Sequence, residues 1–248
     1  MKVFFAELRR ALSSPGFPIA VAGTIIVALV GGWQNFDTLR QIDGSMNIGE
    51  LFLQATYGAI HSDALILVMP ILCTLPYSAS FMEDFQSRYL RAYLPRTGRR
   101  TYLVSKIAAT AISGGASIFA GTVVVLLICI ALFPPMGLLK DDSIFTWSVF
   151  TLTAFLVSFG ALIWSLAGGI AAVALKNRFM AYAVPFIIFY LLTSFQARYF
   201  RTAYALSPLE WIKPANLDFL IALACSFIAF AGACIIYYMV MKQRLRDV

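Results

Sequence analysis

Histidine, cysteine and acidic residues are the side chains of this sequence that could perform catalysis or bind a metal. The one histidine, His61, lies two residues before Asp63. Residues two apart on a helix do not share a face, which favours a polar pair at a helix end over a catalytic dyad. The four cysteines all lie inside apolar runs: Cys73, Cys129, Cys225 and Cys234. None has zinc-ligand spacing, so we predict no catalytic residue, no metal site and no cofactor in this chain.

A short glycine-rich stretch resembles a nucleotide-binding signature. Residues 112–116 read ISGGA, close to the LSGGQ of transport ATPases, but they lie inside a long apolar run. The chain has no GxxxxGK[ST] phosphate loop, without which the match has no mechanism. Small residues also recur every four positions in two rows: Ser113, Ser117 and Gly121, then Ala161, Ser165 and Gly169. Such rows let helices approach closely, so we interpret both features as helix packing.

Composition indicates a membrane protein. Hydrophobic residues make up 60% of the 248 residues and charged residues 12%, and mean hydropathy is +0.82. A soluble domain carries about 25% charged residues, and a bilayer requires roughly 20 apolar residues per helix. We predict an all-α, polytopic transmembrane domain over residues 1–248, with six spans at about residues 17–33, 63–82, 102–133, 144–175, 179–196 and 217–241.

The distribution of charge predicts the orientation. The net charge is +7, and fourteen of the nineteen lysines and arginines fall at residues 2–10, 81–106, 176–178 and 242–246. Because cationic residues concentrate in cytoplasmic segments, we predict cytoplasmic N- and C-termini in a multi-pass cell membrane protein, most simply a bacterial plasma membrane protein. This placement also explains the excess charge without nucleic acid, which we exclude as a partner.

Three segments outside the spans have recognisable character. Residues 1–14 form an amphipathic pattern, with Lys2, Arg9 and Arg10 off the apolar face, and Pro15 and Pro18 follow. We predict an interfacial helix that ends at these prolines. Segments 34–62 and 198–216 are expected on the outer side, with residues 51–60 lying on or dipping into the outer leaflet.

Residues 81–106 are the most basic stretch between two spans. Its cations are Arg88, Arg91, Arg96, Arg99, Arg100 and Lys106. Phe85, Tyr89, Ala92 and Tyr93 share one helical face, which predicts a surface helix over residues 85–94. Pro95 and Gly98 are expected to end that helix. The residues alone leave two interpretations open: a loop that binds anionic lipid, or a docking element for a cytosolic partner.

The order of residues in this stretch resembles the segment between the second and third spans of type-2 ATP-binding-cassette (ABC) permeases. Span 2 has an acidic end at Glu83 and Asp84, and a short coupling helix over residues 85–94 follows it. After the helix come a proline break at Pro95, a basic pair at Arg99 and Arg100, the aromatic Tyr102 and the lysine Lys106. The family's Gly-Thr inside the helix is replaced here by Ser87 and Arg88. The interfacial helix before span 1 is similar to an element of the same family.

The resemblance implies a function and partners. It implies an exporter permease for a peptide, antibiotic or lipophilic compound, including the bacteriocin-immunity group. The partners would be a cytosolic ATPase carrying ATP and Mg²⁺ and a second permease, identical or paralogous. The implied ATPase-docking residues are Glu83, Asp84, Phe85, Arg88, Tyr89, Arg91, Tyr93, Arg99 and Arg100. A candidate substrate path is the aromatic stripe of span 5: Phe186, Phe189, Tyr190 and Phe195.

Two other classes of function stay open. The sequence places no paired carboxylates in the middle of a span, which argues against an ion-coupled carrier or channel. A membrane-embedded enzyme, or a scaffold with a lipid-binding basic loop, would need converging ionisable residues that the sequence does not display. We therefore expect a transporter subunit that is not itself an enzyme.

Overall fold

The computed structural model describes residues 2–41, 51–87, 89–133, 143–200 and 202–245. Within these ranges the chain consists of helices joined by turns, one of them a short 3₁₀ turn at Tyr204–Leu206. In chain order the α-helices are α1 Lys2–Leu12, α2 Gly16–Gly31, α3 Trp33–Gln41, α4 Leu51–Ile60, α5 Asp63–Leu72, α6 Ser80–Gln86, α7 Tyr89–Thr97, α8 Arg99–Leu132, α9 Ser143–Ala174, α10 Met180–Tyr199, α11 Pro208–Ile212 and α12 Phe219–Arg244.

Four of these helices are long and apolar enough to cross a membrane: α8, α9, α10 and α12. Two further candidates are bent pairs, α1 with α2 at 50° and α4 with α5 at 58°. The chain is thus an all-helical protein with four to six candidate spans within the described residues. The predicted spans 3 to 6 agree with α8, α9, α10 and α12 to within a few residues.

The first helix pair bends between α1 and α2. α1 ends at Leu12, and α2 begins at Gly16 directly after Pro15. We predicted that Pro15 and Pro18 would both interrupt the helix, but Pro18 lies in the first turn of α2. Proline is tolerated there because the N–H groups of the first turn have no hydrogen-bond partner within the helix. Phe5 is 62% exposed on α1, whereas Ala11 is buried, so the helix is amphipathic as predicted.

The predicted second span, residues 63–82, is not one continuous helix. α5 ends at Leu72, residues 73–79 form successive turns, and α6 begins at Ser80. Pro76 has no N–H to donate to the carbonyl four residues earlier, and its ring crowds that carbonyl, so an α-helix cannot continue undisturbed. Pro70, in contrast, is accommodated inside α5. The break brings Tyr77 into the interior, where it is buried.

The predicted surface helix over residues 85–94 is also divided. α6 ends at Gln86 and α7 begins at Tyr89. Pro95 lies inside α7 and does not end it, contrary to expectation. The helix ends at Gly98, whose φ of +78° is a conformation that L side chains rarely adopt. Gly98 then precedes α8, so the turn between these two helices depends on glycine.

Helices at the centre of the bundle approach each other most closely at small residues. A side chain on Gly114 of α8 would come within 2.4 Å of Ser165 on α9 and 2.7 Å of the carbonyl of Cys73. Gly121 packs in the same way against Thr24 of α2. The hydroxyl of Ser165 donates to the carbonyl of Thr110 at 2.8 Å. The interpretation of ISGGA and the two small-residue rows as packing positions is confirmed.

The apolar core has two main parts. One lies between α2, α4, α5, α8 and α9 and contains Leu65, Met69 and Trp164. The other lies where α6, α7, the start of α8 and the ends of α9 and α12 meet, and contains Phe81 and Tyr237. We call this second region, together with α1, the foot of the bundle. The opposite end, with the α4–α5 bend and α11, is the far end.

Candidate functional site

Charged side chains from three helices and one turn meet inside the foot of the bundle. Helix α1 supplies an acid and a base, the turn after α5 a tyrosine, α6 an acid, and α8 a tyrosine and a lysine. Together they form the buried charge cluster, defined as Glu7, Arg10, Tyr77, Asp84, Tyr102 and Lys106. These residues are up to 99 positions apart in the sequence, so only the tertiary fold brings them together.

Lys106 is the centre of the cluster. Its ammonium is fully buried and lies 2.7 Å from Oδ2 of Asp84 and 3.2 Å from Oε2 of Glu7. The third contact is 3.1 Å, to the hydroxyl oxygen of Tyr77. A lysine ammonium has three N–H donors, and three acceptors surround it here. Lys106 is therefore buried among its partners, whereas Arg99 and Arg100, at the start of the same helix, are exposed.

The two carboxylates are satisfied by further donors. Asp84 is 2% exposed and accepts from Arg10 at 2.7 Å and from the hydroxyl of Tyr102 at 3.0 Å. Glu7 is 4% exposed and accepts from the hydroxyl of Tyr77. Burying a charge is expensive unless it is paired and hydrogen-bonded. With two acids and two bases the cluster is neutral overall, which meets that condition.

This arrangement is suited to holding helices together more than to chemistry. A general base or a proton relay needs a titratable group with a free position, yet each carboxylate here contacts two donors or more. Hydrogen bonds to ionised groups are the shorter and stronger ones, and they are directional. The cluster consequently fixes α1, α6 and the start of α8 relative to one another.

Four residues of the implied docking set are exposed beside the cluster. We call them the tip surface: Glu83, Tyr89, Arg99 and Arg100. Tyr89 is 44% exposed and stacks on Tyr93, with ring centroids 5.0 Å apart. Arg99 and Arg100 occupy the first turn of α8. The surface therefore joins the ends of three helices, α6, α7 and α8.

The other implied docking residues are placed differently. The carboxylate of Asp84 belongs to the buried cluster, so it is not offered at the surface. Phe85 and Tyr93 are half-buried in the foot core, and Tyr93 packs edge-on against Tyr102 at 5.9 Å. Arg88 and the side chain of Arg91 lie outside the described residues.

The aromatic stripe of α10 does not line one face. Phe189 is buried and packs edge-on against Trp164 at 5.4 Å, and Phe186 is half-buried. Tyr190 and Phe195 are 56% and 48% exposed on the outside of the helix. The four residues are thus brought to two different surfaces of the chain.

The His61–Asp63 pair occupies the bend between α4 and α5. Nδ1 of His61 lies 3.0 Å from the carbonyl oxygen of Tyr57, and the two rings stack at 4.1 Å. Asp63 is exposed in the first turn of α5. The histidine ring thus contacts the preceding helical turn, and the carboxylate of Asp63 faces outward.

Sequence reasoning missed Glu7 and the buried role of Lys106. A signal was available for Glu7, which is the one acid on an otherwise basic and apolar helix. It lies one turn before Ala11, a fully buried position, so it shares the inward face. For Lys106 the sequence shows only a cation near the start of a span, and the positive-inside rule does not distinguish a buried lysine from an exposed one.

Neither a protein-family model nor a curated protein matches this sequence.

Proposed function

We propose that this chain is the membrane-spanning permease subunit of a type-2 ABC exporter. ATP hydrolysis takes place on a separate cytosolic ATPase, and the working unit contains two permeases, identical or paralogous. The cargo class is a peptide, an antibiotic or a lipophilic compound. The proposal draws on the order of residues 81–106 and on the geometry of the foot.

The observation that carries the proposal is the buried charge cluster beneath the tip surface. Asp84 contacts Lys106 at 2.7 Å and Arg10 at 2.7 Å, so one carboxylate joins α6 to both α8 and α1. A partner that binds the tip surface would thereby hold an element rigidly connected to the longest helix of the chain, α8, which extends over 34 residues.

The mechanism follows from the cost of separating buried ions. Removing one partner of a buried pair leaves an uncompensated charge and is destabilising by about 3–5 kcal/mol. The cluster therefore resists being pulled apart, and a displacement of α6 and α7 is passed to α1 and α8 as a rigid-body motion. The exposed Tyr89, with nearby arginines, has the aromatic and cationic character typical of interface anchors.

Co-purification tests the partner. The chain, isolated in mild detergent from its native host, is expected to carry a stoichiometric soluble ATPase. Tyr89→Ala with Tyr93→Ala should abolish the association and uncouple ATP hydrolysis from transport while the protein still inserts. Tyr199→Ala is a matched control, because Tyr199 is 70% exposed at the end of α10, away from the foot.

A preparation without an ATPase, from a chain that is folded and inserted, would count against the proposal. Unchanged transport in the double tyrosine variant would remove the docking role from α7.

The basic pair provides a second test of docking. Reversing the charge of Arg99 and Arg100 to glutamate places two anions at the start of α8, where the positive-inside rule favours cations. We expect loss of ATPase association or a disturbed topology, measured by cysteine accessibility on both sides of the membrane. Normal assembly with normal topology would contradict the role of this pair.

One observation favours an ion-coupled carrier as the second candidate. Glu7 and Asp84 converge on Lys106 inside the protein, and buried ionisable groups in membrane proteins often mark ion pathways. Transport by ATP-free proteoliposomes under a pH gradient, lost in Glu7→Gln, would favour the carrier. The neutral charge balance and full pairing of the cluster support the exporter proposal instead.

A further inference from the structure

A cleft of about 320 Å³ lies beside the charge cluster, where α1 turns into α2. Its volume is in the range of small-molecule binding sites. The polar side chains on its wall come from four parts of the chain: Arg10, Ser13, Ser14, Tyr77, Ser80, Glu83 and Tyr182. The hydroxyl of Ser14 donates to the carbonyl of Pro76 at 2.8 Å. This hydrogen bond connects the α1–α2 junction to the turn after α5, which also lines the cleft.

The cleft presents one cation and one anion from different helices. Arg10 of α1 is 47% exposed and uses Nη1 for Asp84. A guanidinium has five N–H donors, so several remain for a ligand. Glu83 of α6 is exposed and makes no salt bridge with any other described residue. A ligand that pairs with both side chains would carry one negative and one positive group.

A third polar group in the cleft lacks a partner. Ser80 is 4% exposed, and its hydroxyl makes no hydrogen bond with the described part of the chain. Buried polar atoms are paired in the great majority of cases, and an orphaned one calls for a ligand or a water. Because Ser80 lines the cleft, a bound polar group would satisfy it.

An apolar stripe on α5 leads to the same cleft. The apolar side chains of α5 that are not buried recur at helical spacing along one face: Ala64, Leu67, Val68, Ile71 and, in the following turn, Leu75. Leu67 is 40% exposed, and Leu75 lines the cleft. The stripe thus connects a polar cleft at an interfacial helix to apolar surface along a candidate span, as an amphiphile with a polar head and apolar chains requires.

We propose that the cleft binds a phospholipid whose headgroup carries a primary ammonium. Its phosphate lies at Arg10, its ammonium at Glu83 and Ser80, and its acyl chains along the stripe on α5. A primary ammonium donates three hydrogen bonds, which the carboxylate and hydroxyl can accept. A quaternary ammonium cannot donate and is bound through several aromatic faces, whereas this cleft offers only Tyr77 and Tyr182. A purely anionic headgroup would leave Glu83 unpaired against like charge.

Native mass spectrometry of the purified chain measures this directly and needs no ATPase. The protein in detergent is titrated with phosphatidylethanolamine, phosphatidylcholine and phosphatidylglycerol of identical chains, and with soluble glycerophosphoethanolamine. We expect phosphatidylethanolamine to bind most tightly, and Glu83→Gln and Ser80→Ala each to weaken it, Glu83→Gln by about tenfold. Asp63→Asn is the matched control, because it removes an exposed carboxylate at the far end of α5.

Several results would overturn the proposal. Equal binding of the three lipids, or binding unchanged in both cleft variants, would show that the cleft does not recognise the headgroup. Equally tight binding of the soluble headgroup would make the ligand a cytosolic molecule and not a lipid. Since the measurement uses the chain alone, its failure leaves the exporter proposal untouched, and loss of the ATPase partner leaves this one untouched.

Discussion

Two polar sites at opposite ends of the bundle satisfy buried charge in different ways. At the foot, Lys106 is surrounded by groups from segments 22 to 99 residues away. At the far end, Glu210 of α11 binds the chain that follows it. Its Oε2 accepts from the backbone N–H of Ala215 and of Asn216, both at 3.0 Å, and its Oε1 from the side chain of Asn216 at 2.7 Å. The first site connects distant helices, whereas the second closes a single loop.

The difference teaches what each site can control. A local carboxylate cap shapes a turn and can be lost without moving a helix. A long-range ionic cluster determines where α1 lies against α6 and α8, so its loss should affect the whole foot. Substitutions in the charge cluster are therefore expected to reduce stability more, and to affect more helices, than substitutions at Glu210.

The largest effect is expected from Lys106→Met. It leaves Glu7 and Asp84 buried without their common cation, and stability should fall by about 3–5 kcal/mol. The thermal unfolding midpoint in detergent, followed by tryptophan fluorescence, measures the loss. Arg100→Met is the control, because Arg100 is exposed on the same helix and should change stability by less than about 0.5 kcal/mol.

Adding Glu7→Gln to Lys106→Met should recover part of the loss, since Glu7 is the acid left without a cation, whereas Asp84 still pairs with Arg10. Coupling between residues in one network is typically about 0.5–3 kcal/mol. Simple additivity of the two substitutions would mean that the cluster is not an interacting unit, and the contrast with the far end would disappear.

An intermediate effect is expected from Tyr77→Phe. It removes the hydroxyl that donates to Glu7 and accepts from Lys106, while Phe keeps the ring packed. Loss of a hydrogen bond to a charged partner is worth about 1.5–3 kcal/mol. Tyr102→Phe removes only the donor to Asp84, which retains two cations, so it should be the milder change. An equal or reversed order in unfolding midpoints would show that Tyr77 is not central to the cluster.

The smallest effect is expected at the far end and depends on pH. Desolvation disfavours the charged form of Glu210, but hydrogen bonds from Asn216 and Ala215 outweigh it and hold the pKa of Glu210 below its ordinary value. A carboxyl whose pKa is lowered in the folded state stabilises the fold at pH values above its ordinary pKa of about 4.5. That stabilisation is lost as the pH falls through the pKa that the group has in the folded state.

Unfolding midpoints measured from pH 7 to pH 3 should therefore fall more steeply for the native chain than for Glu210→Gln. At pH 7 that variant should lose only about 1 kcal/mol. Identical pH profiles would mean that the cap does not contribute to stability.

The fold was predictable where the signal is local and the helix is long. The last four candidate spans follow from apolar length alone, and α1 follows from its amphipathic pattern. The predictions failed at prolines, because proline restricts the chain without determining the outcome. Pro70 and Pro95 remain inside helices, and Pro76 ends one. Which of them breaks a helix depends on whether neighbouring segments can satisfy the carbonyls it leaves free.

The candidate site was predictable only in its exposed half. The basic and aromatic residues of 81–106 stand out by composition, and three of them, Tyr89, Arg99 and Arg100, belong to the tip surface. Asp84 and Lys106 belong to the same stretch, but their burial depends on Glu7 and Tyr77, which lie outside it. A charge can be buried only with a partner, and the sequence does not state which partners will be near.

By itself the sequence determined the all-helical class, the approximate bounds of the long apolar helices that are candidate spans, and the segment that carries the surface charge, because hydropathy and helical periodicity act over neighbouring residues. Only the tertiary structure decided that Lys106 joins α1, α6 and α8, that the helix breaks after Leu72, and that a polar cleft opens beside the α1–α2 bend. These features arise from contacts between residues tens of positions apart, whose free energy is gained only when the helices have packed.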